Sequence, residues 1–169
     1  GKTFIAVNLL RRIADAGQLR QALFVCDRDE LRTQARSAFQ NSFGANAQPV
    51  SGSNPETNAK IAIATYQTLG VSGDTEEDEN ATFFTDNYPE DYFSHIVIDE
   101  CHRSAWGKWS QVLARNPNAI QIGLTATPRE IVKKIQEGEL SEDKITPDNL
   151  TYFGDPVYEY GIDQGIEDG

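Results

Sequence analysis

Basic charge is what this chain has least of. It carries 15 lysines and arginines against 26 aspartates and glutamates, a formal net charge of −11. A freestanding nucleic-acid binder shows a basic face, and this composition does not supply one. Any grip on a polyanion must rest on a few placed side chains, or on charge contributed by other parts of a larger protein. Cysteine is nearly absent as well. Cys26 and Cys101 have neither the number nor the spacing of a disulfide framework or a zinc site. They read as reduced thiols in a cytoplasmic protein. No apolar run approaches the roughly 18 residues of a membrane span, so no membrane partner is expected. There is no internal repeat.

What is present fits one globular domain. At 169 residues the chain can bury a sizeable core. Its acid is concentrated: Asp74, Glu76, Glu77, Asp78 and Glu79 form one block, and Glu137, Glu139, Glu142 and Asp143 another. Such blocks are usually solvated loops.

Two stretches carry chemistry. Ile96-Val97-Ile98 is an apolar run without polar alternation, the pattern of a strand buried on both faces of a parallel sheet. It ends abruptly in Asp99-Glu100. The carboxyl end of such a strand is where ligands bind in open α/β sheets. There Asp99 can hold a magnesium ion (Mg2+) through its waters, and Glu100 can orient or deprotonate an attacking water. The structural alternative for Asp99 is a cap on the following turn. The second stretch is Gly1-Lys2-Thr3, which enters a helical pattern with apolar residues at 5, 6, 9, 10 and 13. It matches the tail of the phosphate-binding loop G-x-x-x-x-G-K-[ST]. Lys2 would reach the β- and γ-phosphates of ATP, the Thr3 hydroxyl would bind Mg2+, and Gly1 with the helix N-terminus would face the anion. The strand and most of the loop before Gly1 are missing from this sequence, so weak ATP binding by these residues alone is expected.

Between these stretches strands and helices alternate. A helix is expected over 4–16, a strand over 22–26, and a helix from Asp29 to Phe39. Residues 41–58 read as loop, with a short strand at Pro49-Val50. A strand at 61–64 precedes a helical turn through Thr65-Tyr66-Gln67-Thr68-Leu69. Residues 70–92 read as a polar, acidic insertion. A strand over 95–99, a helix from Trp106 to Ala114 and a strand over 119–124 complete the series. This alternation implies right-handed crossovers and a mainly parallel sheet.

The order of the motifs adds a family resemblance. Gly-Lys-Thr, the strand into Asp27-Arg28, the strand into Thr65-Tyr66-Gln67-Thr68, Asp99-Glu100-Cys101-His102, and Leu124-Thr125-Ala126-Thr127-Pro128 resemble motifs I, Ia, Ib, II and III of helicase superfamily 2. Within it, Leu23–Leu31, Asp99–Ser104 and the closing Tyr152–Tyr160 with Gln164–Gly169 look like the restriction (R) subunit of type I restriction-modification enzymes. The resemblance implies a three-layer, RecA-like α/β domain over 1–150 and an exit segment over 151–169 toward a second RecA-like domain of the same subunit. It also implies ATP-driven translocation on double-stranded DNA, with ATP and Mg2+ as cofactors and modification and specificity subunits as partners. On that reading His102, Thr125 and Thr127 couple the ATP site to DNA grip, and Arg28, Thr65 and Gln67 touch the DNA backbone. The alternatives are another DNA or RNA helicase of the superfamily, or a degenerate RecA-like module used only for binding.

Overall fold

The computed structural model describes residues 1–70, 82–99 and 112–125, together with Phe153 and Val157. Five strands form one parallel sheet: β1 (Ala22–Cys26), β2 (Ala47–Pro49), β3 (Ile61–Thr65), β4 (His95–Asp99) and β5 (Ile120–Leu124). Their order is β2-β3-β1-β4-β5. Every residue of β1, β3 and β4 is buried, as unalternating apolar runs require.

Side-chain alternation divides these strands between two cores. Ala22, Phe24, Cys26, Ile61, Ile63 and Val97 meet helices α1 (Lys2–Asp15) and α2 (Asp29–Phe43) on one face. Leu23, Val25, Ala62, Ala64, Ile96 and Ile98 meet an aromatic layer on the other. Phe24 locks the helical face, its ring edge-on to Phe39 at 5.1 Å. Truncating a buried Phe of this kind costs about 3–5 kcal/mol. The α/β fold with a mainly parallel sheet is therefore as expected.

The windings on the two faces run in opposite directions. From β1 the chain crosses β3 by way of α2 to reach β2. From β3 it crosses β1 on the aromatic face to reach β4. β1 and β4 are neighbours; α2, which follows β1, packs on one face, and Val112 and Leu113, which precede β5, pack on the other, a reversal that opens a crevice at the strands' carboxyl ends.

Several boundaries differ from expectation. Helix α1 starts at Lys2 and ends at Asp15. Gly17, at φ 71°, closes it: the Gly17 and Gln18 amides donate to the carbonyls of Ala14 and Ile13, the left-handed cap glycine favours. Its buried face is Ala6, Val7 and Leu10, while Ile5 and Leu9 are exposed. The apolar stripe expected at 5, 6, 9, 10 and 13 is rotated because Val7 takes the sheet contact. Helix α2 continues to Phe43, since Phe39 and Phe43 extend its apolar face. The short strand falls at Ala47–Pro49, earlier than Pro49-Val50. The turn expected after β3 is present at 66–70, closed by the Leu69 amide on the Thr65 carbonyl.

The largest correction concerns 70–92. Residues 71–81 lie outside the described part, but the segment after them is core. Helix α3 (Phe83–Asn87) buries Phe83 and Phe84, and Tyr88 and Phe93 join them. The Tyr88 and Tyr92 hydroxyls donate to the carbonyls of Pro55 and Thr57, tying the 51–58 segment onto this face. The acidic block dominated the local composition and hid the aromatic run beside it. The exit segment expected over 151–169 lies outside the described residues except for Phe153 and Val157, and the helix expected from Trp106 is described only at 112–114.

His95 opens β4, the strand expected over 95–99, and it is buried. Ser94 Oγ donates to the Gln21 carbonyl and accepts the Arg20 amide, so the His95 Nδ1–H donates to Ser94 Oγ at 2.9 Å. Burial pushes the imidazole pKa below its usual value. The unfolded chain therefore takes up the proton first as pH falls, and stability drops below about pH 6.5. In His95→Asn, urea midpoints measured from pH 7.5 to 5 should lose that part of the decline.

Candidate functional site

The parallel register brings the chemistry-bearing residues to one edge. Cys26 pairs with Thr65, Val25 with Ile98, and Asp99 with Leu124. The carboxyl ends of β3, β1, β4 and β5 are thus level. Asp27-Arg28, Thr65 with its turn, Asp99 and Thr125 all lie along that edge. Helix α1 joins it from the other direction. Its C-terminus feeds through residues 16–21 into the start of β1, and it packs on α2 and β4. Its N-terminus, carrying Lys2 and Thr3, therefore returns toward the carboxyl end of the sheet.

Asp99 is 6% exposed. Alternation from Val97, which meets the helical layer, turns it to the face that carries Cys26 and α1. The Cys26 thiol registers its presence. Burial first, and then the Asp99 charge, push that thiol from its usual value near 9 up to about 12; Arg32 opposes the rise and Asp29 adds to it. Cys26 is free, as expected, and its Sγ–H approaches the Ala64 carbonyl at 3.5 Å.

The two helix N-termini differ. Asp29 and Glu30 in the first turn of α2 complement its dipole. The first turn of α1 has no acidic residue and no side-chain cap. Gly1 is exposed, with open space around it, and Lys2 and Thr3 are half-buried. The first turn of α1 thus carries no acid that would oppose an anion at its N-terminus.

The described residues hold no cluster of three or more histidine, cysteine or carboxylate groups fit for a metal. Mg2+ does not ask for one: it binds through one or two carboxylates, waters and substrate phosphates. A single buried carboxylate on the face that carries α1, whose first turn holds a threonine, suits that ion and not zinc.

At the other end of the edge, Arg28 is exposed ahead of α2, with Nε 3.8 Å from Asp27 Oδ2. A pair so long and so exposed is weak, which leaves the guanidinium available. Gln67 is exposed too. Thr65 is not: it is 3% exposed. Its hydroxyl accepts the Thr68 amide at 3.1 Å and lies 2.9 Å from the Thr68 hydroxyl. It shapes the turn that presents Gln67. Thr125 follows β5 and is half-buried. Glu100, His102 and Thr127 lie outside the described residues. Sequence reasoning missed Arg32, which spans α2, β2 and the β3 turn; only its spacing from Asp29 was visible.

The family profile described as type III restriction enzyme, res subunit, matches residues 1–130. The chain belongs to this family. Over its whole length this res-subunit chain is 37% identical to the endonuclease subunit of the type I restriction enzyme EcoAI from Escherichia coli. It is 26% identical to that of EcoKI from E. coli strain K12. It spans 19% and 14% of those two proteins. Among solved structures, it resembles a fragment of an HsdR subunit of a type I restriction enzyme from Vibrio vulnificus YJ016. That match has a TM-score of 0.55 at 29% identity and covers 88% of this chain and 20% of the other. The UvsW helicase of bacteriophage T4 gives a TM-score of 0.57 at 19% identity, over 77% of this chain and 44% of that one, a likeness of fold alone. The resemblance read from the motifs is borne out: this is a RecA-like α/β domain of the restriction-subunit kind. Among the described residues no helix is long and apolar enough to cross a membrane.

The Cys26 environment yields a prediction for alkaline pH. A thiol held near 12 in the fold but titrating near 8.5 when unfolded stabilises fully below pH 8.5, and that contribution is lost as pH rises toward 12. Cys26→Ala should flatten the alkaline fall in melting temperature between pH 8.5 and 11. An unchanged slope would show that the thiol is not held in this way.

Proposed function

We propose that this chain is the first RecA-like half of an ATP-driven motor that moves double-stranded DNA within a type I restriction enzyme. Asp99 carries the reading. A buried carboxylate ends a fully buried parallel strand, on the same face as a helix terminus free of acid. Lys2 contacts the β- and γ-phosphates of ATP, and Gly1 and the α1 amides cradle them. Thr3 and Asp99 hold Mg2+, which when bound neutralises phosphate charge and orients the γ-phosphoryl group. Glu100 polarises the attacking water, with Asp99 beside it already committed to the metal. His102, Thr125 and Thr127 link this site to DNA grip, and Arg28 and Gln67 meet the DNA backbone. Backbone contacts of this kind position a strand without reading its sequence, which suits a translocase. A second RecA-like domain of the same subunit completes the ATP site with its arginine. Modification and specificity subunits supply the recognition site, and the protein works in the cytoplasm.

Polynucleotide-stimulated ATPase of the protein as its gene encodes it tests this reading. Stimulation by duplex DNA and not by RNA is expected. RNA stimulation would move the chain to another branch of the helicase superfamily, and no ATP turnover would make it a binding module.

Two substitutions assign roles. Glu100→Gln should still bind ATP while turnover falls roughly 10²- to 10⁴-fold, the usual worth of a general base; unchanged turnover would remove Glu100 from that role. Thr125→Ala should reduce translocation more than ATPase. Equal loss of both would argue against a coupling role.

A further inference from the structure

Arg32 sits one turn into α2, with its side chain 26% exposed. Its guanidinium serves three elements at once. Nη2 lies 3.1 Å from Asp29 Oδ1 at the start of its own helix. Nη1 donates to the Val50 carbonyl, just past β2, at 2.9 Å, and to the Thr68 hydroxyl, in the turn after β3, at 3.4 Å. Thr68 is in turn bound to Thr65 through both its hydroxyl and its amide. The turn is closed further by the Leu69 amide on the Thr65 carbonyl and the Gly70 amide on the Gln67 carbonyl.

We infer that Arg32 is a positioning residue that locks the Asp27-Arg28 corner and the Gln67 turn into one fixed edge for the DNA backbone; this rests on the motor reading proposed above. Arg28 lies four residues before Arg32, at the mouth of the same helix, and the Arg28 carbonyl accepts the Arg32 amide at 3.0 Å. Gln67 stands between the two threonines of the turn that Arg32 holds. Both proposed contacts therefore hang from one guanidinium. Arg32 itself is turned inward, paired with Asp29 and directed at a carbonyl and a hydroxyl, so it acts through its neighbours and not on a phosphate. The planar fork matters. Arginine presents donors in several fixed directions, whereas lysine offers one nitrogen on a flexible stem. A charge-conserving exchange should thus fail nearly as badly as a neutral one.

The test is a duplex-DNA titration of ATPase, using the protein as its gene encodes it. The variants are Arg32→Gln, Arg32→Lys, Arg28→Ala and the Arg28→Ala/Arg32→Gln pair. Arg32→Gln should raise the DNA concentration for half-maximal stimulation by roughly tenfold, the loss of one well-made charged contact. Arg32→Lys should come close to it. The KM for ATP and the DNA-independent rate should stay at wild-type values, a split that general damage to the fold would not give. The double variant should be no worse than the worse single, because both changes disable the same contact. Should the glutamine variant fail to fold, the lysine variant carries the same comparison. An unchanged DNA requirement, an additive double variant, or a KM for ATP that rises in step would each overturn the inference while leaving the motor reading intact. A wild-type protein that DNA does not stimulate would overturn both.

Discussion

The level parallel pairing of β1 with β3 on one side and β4 on the other is the constraint on which the other features depend. All three strands are buried on both faces, so their register is fixed twice over. Slipping β4 by one residue would turn Ile96 and Ile98 toward α1 and send Val97 and Asp99 into the aromatic layer. The aromatic core would lose two isoleucines and gain a carboxylate in exchange. Burying an unpaired carboxylate in such a layer costs several kcal/mol at least. The position of Asp99 at the crevice is thus defended by the entire core and not by local turn geometry.

The same edge resolves how a chain with net charge −11 can offer an anion site. Charge is distributed, not merely summed. Among the described residues α1 and α2 begin at this edge, and only α2 carries acid in its first turn. The free positive end belongs to α1, whose opening residues carry a lysine and a threonine. Asp99 faces the same side, where it raises the Cys26 thiol and would repel a bare phosphate. A divalent cation between carboxylate and phosphate removes that conflict. That is why the proposed site places Mg2+ between Asp99 and the phosphates.

Much of this was legible in the sequence because burial on both faces writes a simple code. Ala22–Cys26, Ile61–Thr65 and His95–Asp99 are short, apolar and unalternating, and each became a central strand. Other features depend on contacts between distant residues and leave no periodic trace. The face of α1 is decided by Val7 against the sheet, which displaced Ile5 and Leu9 from the expected stripe. Phe83, Phe84 and Tyr88 were masked by the acidic block before them, although three aromatics in six residues argue for core. Thr65 showed its hydroxyl but not its burial, which comes from the pairing of Cys26 with Thr65. Arg32 bonds to Val50 and Thr68, 18 and 36 residues away on other elements, which no pattern within a single helix or strand reveals.

Rigidity at this edge bears on where motion in such a motor must lie. β1 is the shared neighbour: Val25 pairs with Ala64 on the side of the proposed DNA contacts and with Ile98 on the side of the proposed nucleotide site. Arg32 then binds the ends of α2, β2 and the β3 turn across the top. Among the described residues the end of β4 is linked to the Gln67 turn through its pairing with β1 and the pairing of β1 with β3. Packed cores of this kind respond as units and do not bend continuously. Within the proposed motor, nucleotide state is therefore felt at the DNA edge as movement of a whole domain against its partner, and Arg32 serves by keeping the two ends of that edge from moving independently.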